Sequence, residues 1–137
     1  MMLIVSILLC ATFALKGNAE VRTARGSCAA GWTLHGSRCF IFYNSPKTWI
    51  QAEQHCLTLG GNLASIHSLE EYQFIRELVR SSSGSYPATL IGGTDAFQEN
   101  LWMWTDGSKF DYQLWASGEP NNDKGAEHCI DMNYREG

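Results

Sequence analysis

The cysteines, and the apolar segment in front of most of them, constrain this 137-residue chain more than any other feature. Residues 1–15 carry no charged side chain, and small residues follow at Gly17 and Ala19, which is typical of a secretory signal peptide ending near residue 19. A buried N-terminal helix is the alternative, but it should show a polar face. We therefore predict a secreted, extracellular protein without a membrane span. Cys10 would be lost with the leader, and four cysteines would remain: Cys28, Cys39, Cys56 and Cys129.

Four cysteines allow three disulfide pairings. Cys28 and Cys39 are close in sequence, and the glycines between them allow a small hairpin that would bring the two together. A polar arm, residues 20–27, precedes them, and residues 28–137 have room for one domain with a single core. The net charge of −4, without a cluster of lysines or arginines, argues against nucleic acid as a partner.

The first half of the domain predicts a strand and two helices. Residues 39–43 are aromatic and β-branched, which predicts a buried strand that stops at residues 44–46. Apolar residues recur at spacings of three and four over residues 48–59, which predicts a helix. Ser68 and Glu71 form a capping-box pattern and mark the start of the second helix.

The second half has a different character, because glycine and tryptophan become frequent and the helical periodicity ends. Residues 90–92 and the alternating residues 101–104 predict strands. Residues 105–126 show little regular pattern, and so long a loop in a compact domain is usually functional or disordered. Trp115 within it favours an ordered loop.

The residue pattern with the clearest chemistry lies in this loop. Glu119, Asn121 and Glu127 offer two carboxylates and an amide oxygen, the ligand type that calcium prefers. A cis bond before Pro120 would turn the side chains of residues 119 and 121 to the same side. Taken alone, Glu-Pro-Asn-Asn is also an ordinary turn sequence, and the plain-turn interpretation is then the better one.

A series of motifs in one fixed order changes that balance. The chain resembles the C-type lectin-like domain family, and within it the small secreted fish lectins and the type II antifreeze proteins. The resemblance covers nearly all of the chain after the predicted signal peptide and rests on these segments: Cys28 to Trp32, Gly36 to Phe40, Lys47 to Trp49, Ala52 to Cys56, Gly60 to Ile66, Ile91 to Asp95, Trp102 to Ser108, Glu119 to Asn121, and Glu127 with Cys129.

The resemblance implies an α+β fold with two helices, small antiparallel sheets and a long calcium-binding loop. It places Glu119, Asn121 and Glu127 at the principal Ca²⁺ site, where each also contacts a sugar hydroxyl. The Glu-then-Asn order is similar to the mannose-type pattern, which favours mannose, glucose, N-acetylglucosamine or fucose over galactose. Recognition of microbial or cellular glycans in innate immunity would follow, with several weak sites acting together in a homo-oligomer.

The chain also departs from the family pattern. The family completes its calcium site with an Asn-Asp pair and its disulfides with two further cysteines, all beyond residue 137. We therefore expect an incomplete domain whose last strand is missing, with Cys56 and Cys129 lacking partners. A second calcium site of some relatives needs acids where Asn122 and His128 stand, so we expect it to be absent.

Other functions are weighed against the lectin. An ice-binding protein of the same fold is the first alternative, a domain kept for protein contacts alone is the second, and a truncated product that binds nothing is the third. An enzyme is not indicated. The histidines lack zinc-type spacing and are interpreted as satisfied surface or core residues: His35, His55, His67 and His128.

Overall fold

The computed structural model describes residues 5–13, 27–113, 115, 119–120 and 128–133. Within these ranges the chain forms two helices and seven strands. In chain order they are β1 (Val5–Phe13), β2 (Thr33–His35), β3 (Arg38–Thr48), α1 (Trp49–Thr58), β4 (Asn62–Leu63), α2 (Leu69–Ser83), β5 (Thr89–Thr94), β6 (Met103–Trp104) and β7 (Cys129–Met132).

All described strands belong to one sheet. Its main order is β2-β3-β1-β5-β6, and β4 and β7 pair with β1 and β5 respectively. The predicted α+β class and both helices are confirmed. Most strand pairs are antiparallel, as expected, but β1 runs parallel to β5 and joins the strands on either side of it into one mixed sheet.

Strand β1 lies at the centre of this sheet. Its main chain pairs with β3, β4 and β5, and Leu8, Leu9 and Cys10 have no exposed surface. A disulfide joins Cys10 to Cys56. The expectation that Cys56 lacks a partner is therefore wrong in this structure, because the partner comes from the segment assigned to the leader.

The leader and β1 make opposite demands on the same residues. Cleavage near residue 19 would remove β1, whereas the sheet uses it as its central strand. Both interpretations rest on one sequence property, since a strand paired on both edges and covered on both faces needs an uninterrupted apolar run, as a leader does. The leader stays a prediction.

The two helices pack against opposite faces of β1. Successive side chains of a strand point to opposite faces. Leu8 and Cys10 pack into a cluster with Ala52 and Cys56 of α1, and Leu9 packs into the cluster that contains Ile75 of α2. The sheet is thus buried between the helices, and the core lies on both of its faces.

Helix α1 begins as the sequence predicts. The Thr48 side chain accepts a hydrogen bond from the Gln51 N–H, and the Gln51 side chain accepts one from the Thr48 N–H. In α2 the Ser68 hydroxyl caps the Glu71 N–H, but the Glu71 carboxylate accepts hydrogen bonds from Arg38 and from the His67 N–H. The predicted capping box is therefore only half formed, because the Glu71 carboxylate bonds to Arg38 and His67 and not to the Ser68 N–H.

Strand β3 extends past the predicted stop at residues 44–46 and reaches Thr48. Between the pairs Ser6–Lys47 and Leu8–Tyr43 the register shifts, so residues 44–46 lie opposite Ile7 alone. Such a bulge accommodates Pro46, which has no N–H to donate to a ladder. Of the strand predicted at residues 101–104, only Met103 and Trp104 pair with β5.

Candidate functional site

The predicted calcium loop is described at Glu119 and Pro120. The peptide bond between them is cis, and the Glu119 side chain is half-buried. Asn121 and Glu127 lie outside the described residues. The structure thus locates one of the three predicted ligands, and the joint arrangement of all three stays a prediction.

Aromatic side chains hold the chain that leads into this loop. The rings of Trp102 and Trp115 are 5.0 Å apart, and those of Trp104 and Phe110 are 4.8 Å apart and stacked. Trp104 is buried in the main core, and Phe110 packs against that core. These ring contacts tie Phe110 and Trp115 to the aromatic residues of and next to β6.

A polar network lies below the aromatic residues, and the sequence analysis missed it. Arg38 of β3 donates to Glu71 at 2.8 Å and to the hydroxyl of Ser65 at 2.9 Å. Asp106, just after β6, accepts hydrogen bonds from the hydroxyls of Ser65 and Ser108. Burial opposes ionisation of Asp106, but these hydrogen bonds and the charge of Arg38 outweigh it and lower its pKa. The network therefore ties β3, α2 and the start of the loop together.

His67 completes this network. Its Nδ1 lies 2.7 Å from a carboxylate oxygen of Asp111, and its Nε2 lies 3.0 Å from the hydroxyls of Ser65 and Ser108. The hydrogen bond with His67 is the main cause that lowers the pKa of Asp111. The order of groups resembles a catalytic Ser-His-Asp arrangement, but both serine hydroxyls donate their hydrogen bonds to Asp106. Neither hydroxyl is poised for transfer of its proton to His67, so the geometry gives no activated nucleophile.

Three potential ligands meet where β5 and β7 join. One donor atom from each of Asp95, Glu99 and His128 lies within 4.8 Å of the other two. We call this group the Asp95 cluster. From the sequence, His128 is predicted to be an ordinary satisfied histidine, and no ligand role is predicted for the two acids. A usable signal was present, since Asp95 follows a buried strand and Glu99 comes four residues later.

The neighbouring Cys129 is the one free cysteine within the described residues. Burial is the main cause that raises the pKa of its thiol to about 12, and the charges of Asp131 and Asp95 add to it. The predicted disulfide Cys28–Cys39 is present. Of the remaining histidines, His35 stacks on Phe74 and His55 lies edge-on to Tyr43.

Comparison with known proteins assigns the fold to a family. The model of the lectin C-type domain matches residues 45–137. Ladderlectin of Oncorhynchus mykiss is 46% identical over 98% of this chain and 83% of its own length. The galactose-specific lectin nattectin of Thalassophryne nattereri is 48% identical over 83% and 72%. A type-2 ice-structuring protein of Brachyopsis segaliensis is 41% identical over 96% and 84%.

Solved structures agree with this assignment. A calcium-independent type II antifreeze protein superposes with a TM-score of 0.69 at 42% identity, covering 77% of this chain and 76% of its own. The C-type lectin CEL-I from Cucumaria echinata superposes with a TM-score of 0.74 at 30% identity, covering 77% and 81%. Among the described residues, neither helix is long and apolar enough to cross a membrane.

Proposed function

Because the chain belongs to the C-type lectin domain family, we propose that it is a secreted, calcium-dependent lectin of the mannose type. The observation that carries the proposal is the donor set Glu119, Asn121 and Glu127, within the matched residues 45–137. These residues offer only oxygen ligands toward the ion, and oxygen ligands fit calcium. A bound Ca²⁺ would supply a positive centre for two vicinal sugar hydroxyls.

The protein side chains would select the sugar. Asn121 would donate through its amide to a hydroxyl oxygen, and Glu119 and Glu127 would accept hydroxyl protons. Nattectin is named galactose-specific and a relative from Anguilla japonica is named a lactose-binding lectin. The family resemblance implies Gln-Pro-Asp for a galactose-type site, whereas this chain carries Glu-Pro-Asn, so we favour mannose, glucose, N-acetylglucosamine or fucose.

Affinity per site would be low. One pair of hydroxyls at a shallow ion corresponds to about −4 kcal/mol, or a millimolar dissociation constant. Useful recognition of glycans, as in innate immunity, therefore requires several sites on one assembly, and we propose a homo-oligomer.

The proposal is tested by glycan-array binding of the full chain with calcium and with excess chelator. We expect a mannose-type signal that the chelator abolishes. The double variant Glu119→Gln, Asn121→Asp should move the preference toward galactose, because it exchanges a donor and an acceptor between the two positions. Binding that persists in chelator, or a preference unchanged by the double variant, would contradict the proposal.

Ice binding is the second candidate, because ice-structuring proteins stand among the similar relatives and structures. The structure adds an exposed apolar segment after β5, in which Phe97, Leu101 and Met103 are 84%, 50% and 46% exposed. Thermal hysteresis without glycan binding would favour this candidate, and glycan binding without thermal hysteresis would favour the lectin.

A further inference from the structure

We propose that the Asp95 cluster binds a transition-metal dication, zinc above all, at a site separate from Glu119. The cluster brings two carboxylates and one imidazole together, with one donor atom of each within 4.8 Å of the others. Zinc takes four nitrogen, sulfur or oxygen ligands at about 2.0–2.3 Å. Three protein ligands of this kind leave one position for water.

Two of the three ligands are held in place before any ion arrives. Asp95 is only 2% exposed, and one of its carboxylate oxygens accepts the Asn100 N–H at 2.9 Å. Its other oxygen lies 3.0 Å from Nδ1 of His128. The carbonyl of His128 accepts hydrogen bonds from the Thr94 hydroxyl at 2.6 Å and from the Asp95 N–H at 3.2 Å. The backbone thus fixes the distance between the imidazole and the buried carboxylate.

The third ligand can adjust. Glu99 is exposed, on the turn that follows Asp95. Ligands of a tetrahedral zinc ion lie about 3.4 Å apart, which follows from the bond lengths above. A long, exposed glutamate side chain can close the remaining gap by rotation about its own bonds, without movement of the strands.

The local charge favours a cation. Asp95 and Glu99 bring two carboxylates to the cluster, against one imidazole from His128. A buried carboxylate such as Asp95 is stabilised by a positive partner, and a divalent ion would supply more charge than a hydrogen bond from His128 does.

The imidazole decides between ions. Calcium prefers six to eight oxygen ligands, whereas zinc and its transition-metal neighbours accept nitrogen readily. His128 is the residue for which the family resemblance predicts loss of a second calcium site, because an acid would be required there. The same histidine makes the cluster suitable for zinc. One side chain thus changes the expected preference of the site from calcium to zinc.

Isothermal titration of the tag-free, metal-stripped full chain with zinc alone tests the proposal. We expect one zinc ion per chain. Loss of a residue that only hydrogen-bonds to a metal ligand weakens metal binding roughly tenfold or more. His128→Asn removes a ligand itself, so it should weaken zinc binding by at least that factor. Glu99→Gln, a surface change, should weaken it as well. His128→Asp should weaken zinc and strengthen calcium, because it restores an oxygen-only set.

Matched controls keep the result interpretable. His35→Asn changes a histidine that stacks on Phe74, away from the cluster, and should leave the zinc affinity unchanged. Cys129→Ser should also leave it unchanged, which excludes binding by the free thiol. Circular dichroism should show that all variants fold.

Two results would overturn the proposal: equal zinc affinity of the wild type and His128→Asn, or loss of binding in Cys129→Ser. The variant Glu119→Gln, Asn121→Asp should keep its zinc affinity. Failure of glycan binding therefore leaves the zinc site standing, and failure of zinc binding leaves the lectin proposal standing.

Discussion

Strand β1 and the segment 105–111 are held in the fold by opposite means. Strand β1 is bound by backbone pairing along both edges, by the full burial of Leu8, Leu9 and Cys10, and by a disulfide. The segment 105–111 is bound by side-chain hydrogen bonds centred on Asp106 and His67 and by stacked aromatic rings. The first means stabilises the whole sheet, whereas the second positions one loop. Changes in the two regions should therefore differ in size and in pH dependence.

The largest effect should follow removal of residues 1–19. A chain without β1 loses the strand between β3 and β5 and the partner of Cys56, so we expect no cooperative unfolding transition. Urea unfolding of the full and shortened chains measures this. An equal midpoint for both would show that β1 is dispensable.

The mass of the protein secreted by an expressing cell sharpens the same comparison. A mass that corresponds to a chain starting near residue 20 would support the leader prediction and would show that the exported protein lacks β1. A mass that includes residues 5–13, with a Cys10–Cys56 peptide in a non-reducing digest, would show that β1 is retained.

Loss of single disulfides should come next. Cys10→Ser opens a link across 46 residues and Cys28→Ser one across 11, and each should cost about 2–5 kcal/mol. The longer loop should make the Cys10 change more costly by about 1 kcal/mol, since loop entropy grows with the logarithm of length. The free energy of unfolding in urea is the measurement. A larger loss for Cys28→Ser would contradict the central role of β1.

Arg38→Met should cost about 3 kcal/mol, because it leaves the carboxylate of Glu71 buried without its cation. Arg38 belongs to β3 yet reaches Asp106, so the change also loosens the segment 105–111. Arg80→Met is the matched control, since its ion pair with Glu77 is exposed and should contribute less than about 1 kcal/mol. Equal losses in the two variants would show that the network does not stabilise the fold.

The smallest effect should be a change in acid sensitivity. The pKa of Asp106 is lowered in the folded state, so its contribution to stability is complete above its ordinary pKa and is lost as the pH falls through the folded value. Asp106→Asn should therefore flatten the decline of stability below about pH 4. Urea midpoints measured against pH test this, with the exposed Asp111→Asn expected to change the slope less. A steeper acid decline in Asp106→Asn would reverse the sign we assign.

The sequence predicts the helices because their signals are local. The spacing of Ala52 and Cys56 and the cap at Ser68 identify α1 and α2 without reference to the rest of the chain. The buried strand β5 is similarly visible as a short apolar run. The role of residues 5–13 is not, because continuous apolar character suits both a leader and a central strand, and only pairing with distant strands distinguishes them.

The site follows the same division. Glu119 is found from a local motif, whereas the Asp95 cluster joins residues about thirty positions apart that meet only when β7 pairs with β5. Arg38, Glu71 and Asp106 are likewise scattered along the chain, and each looks like an ordinary surface charge until the fold assembles them. Networks of this kind carry no spacing pattern that a single sequence can reveal.

The high pKa of Cys129 has a consequence for the covalent integrity of the molecule. Thiol–disulfide exchange requires the thiolate, and with a pKa of about 12 only a fraction on the order of 10⁻⁵ is ionised at neutral pH. The unpaired sulfur is therefore almost inert toward the bonds at Cys10 and Cys28. An odd cysteine can persist in an oxidising environment without scrambling the crosslinks around it.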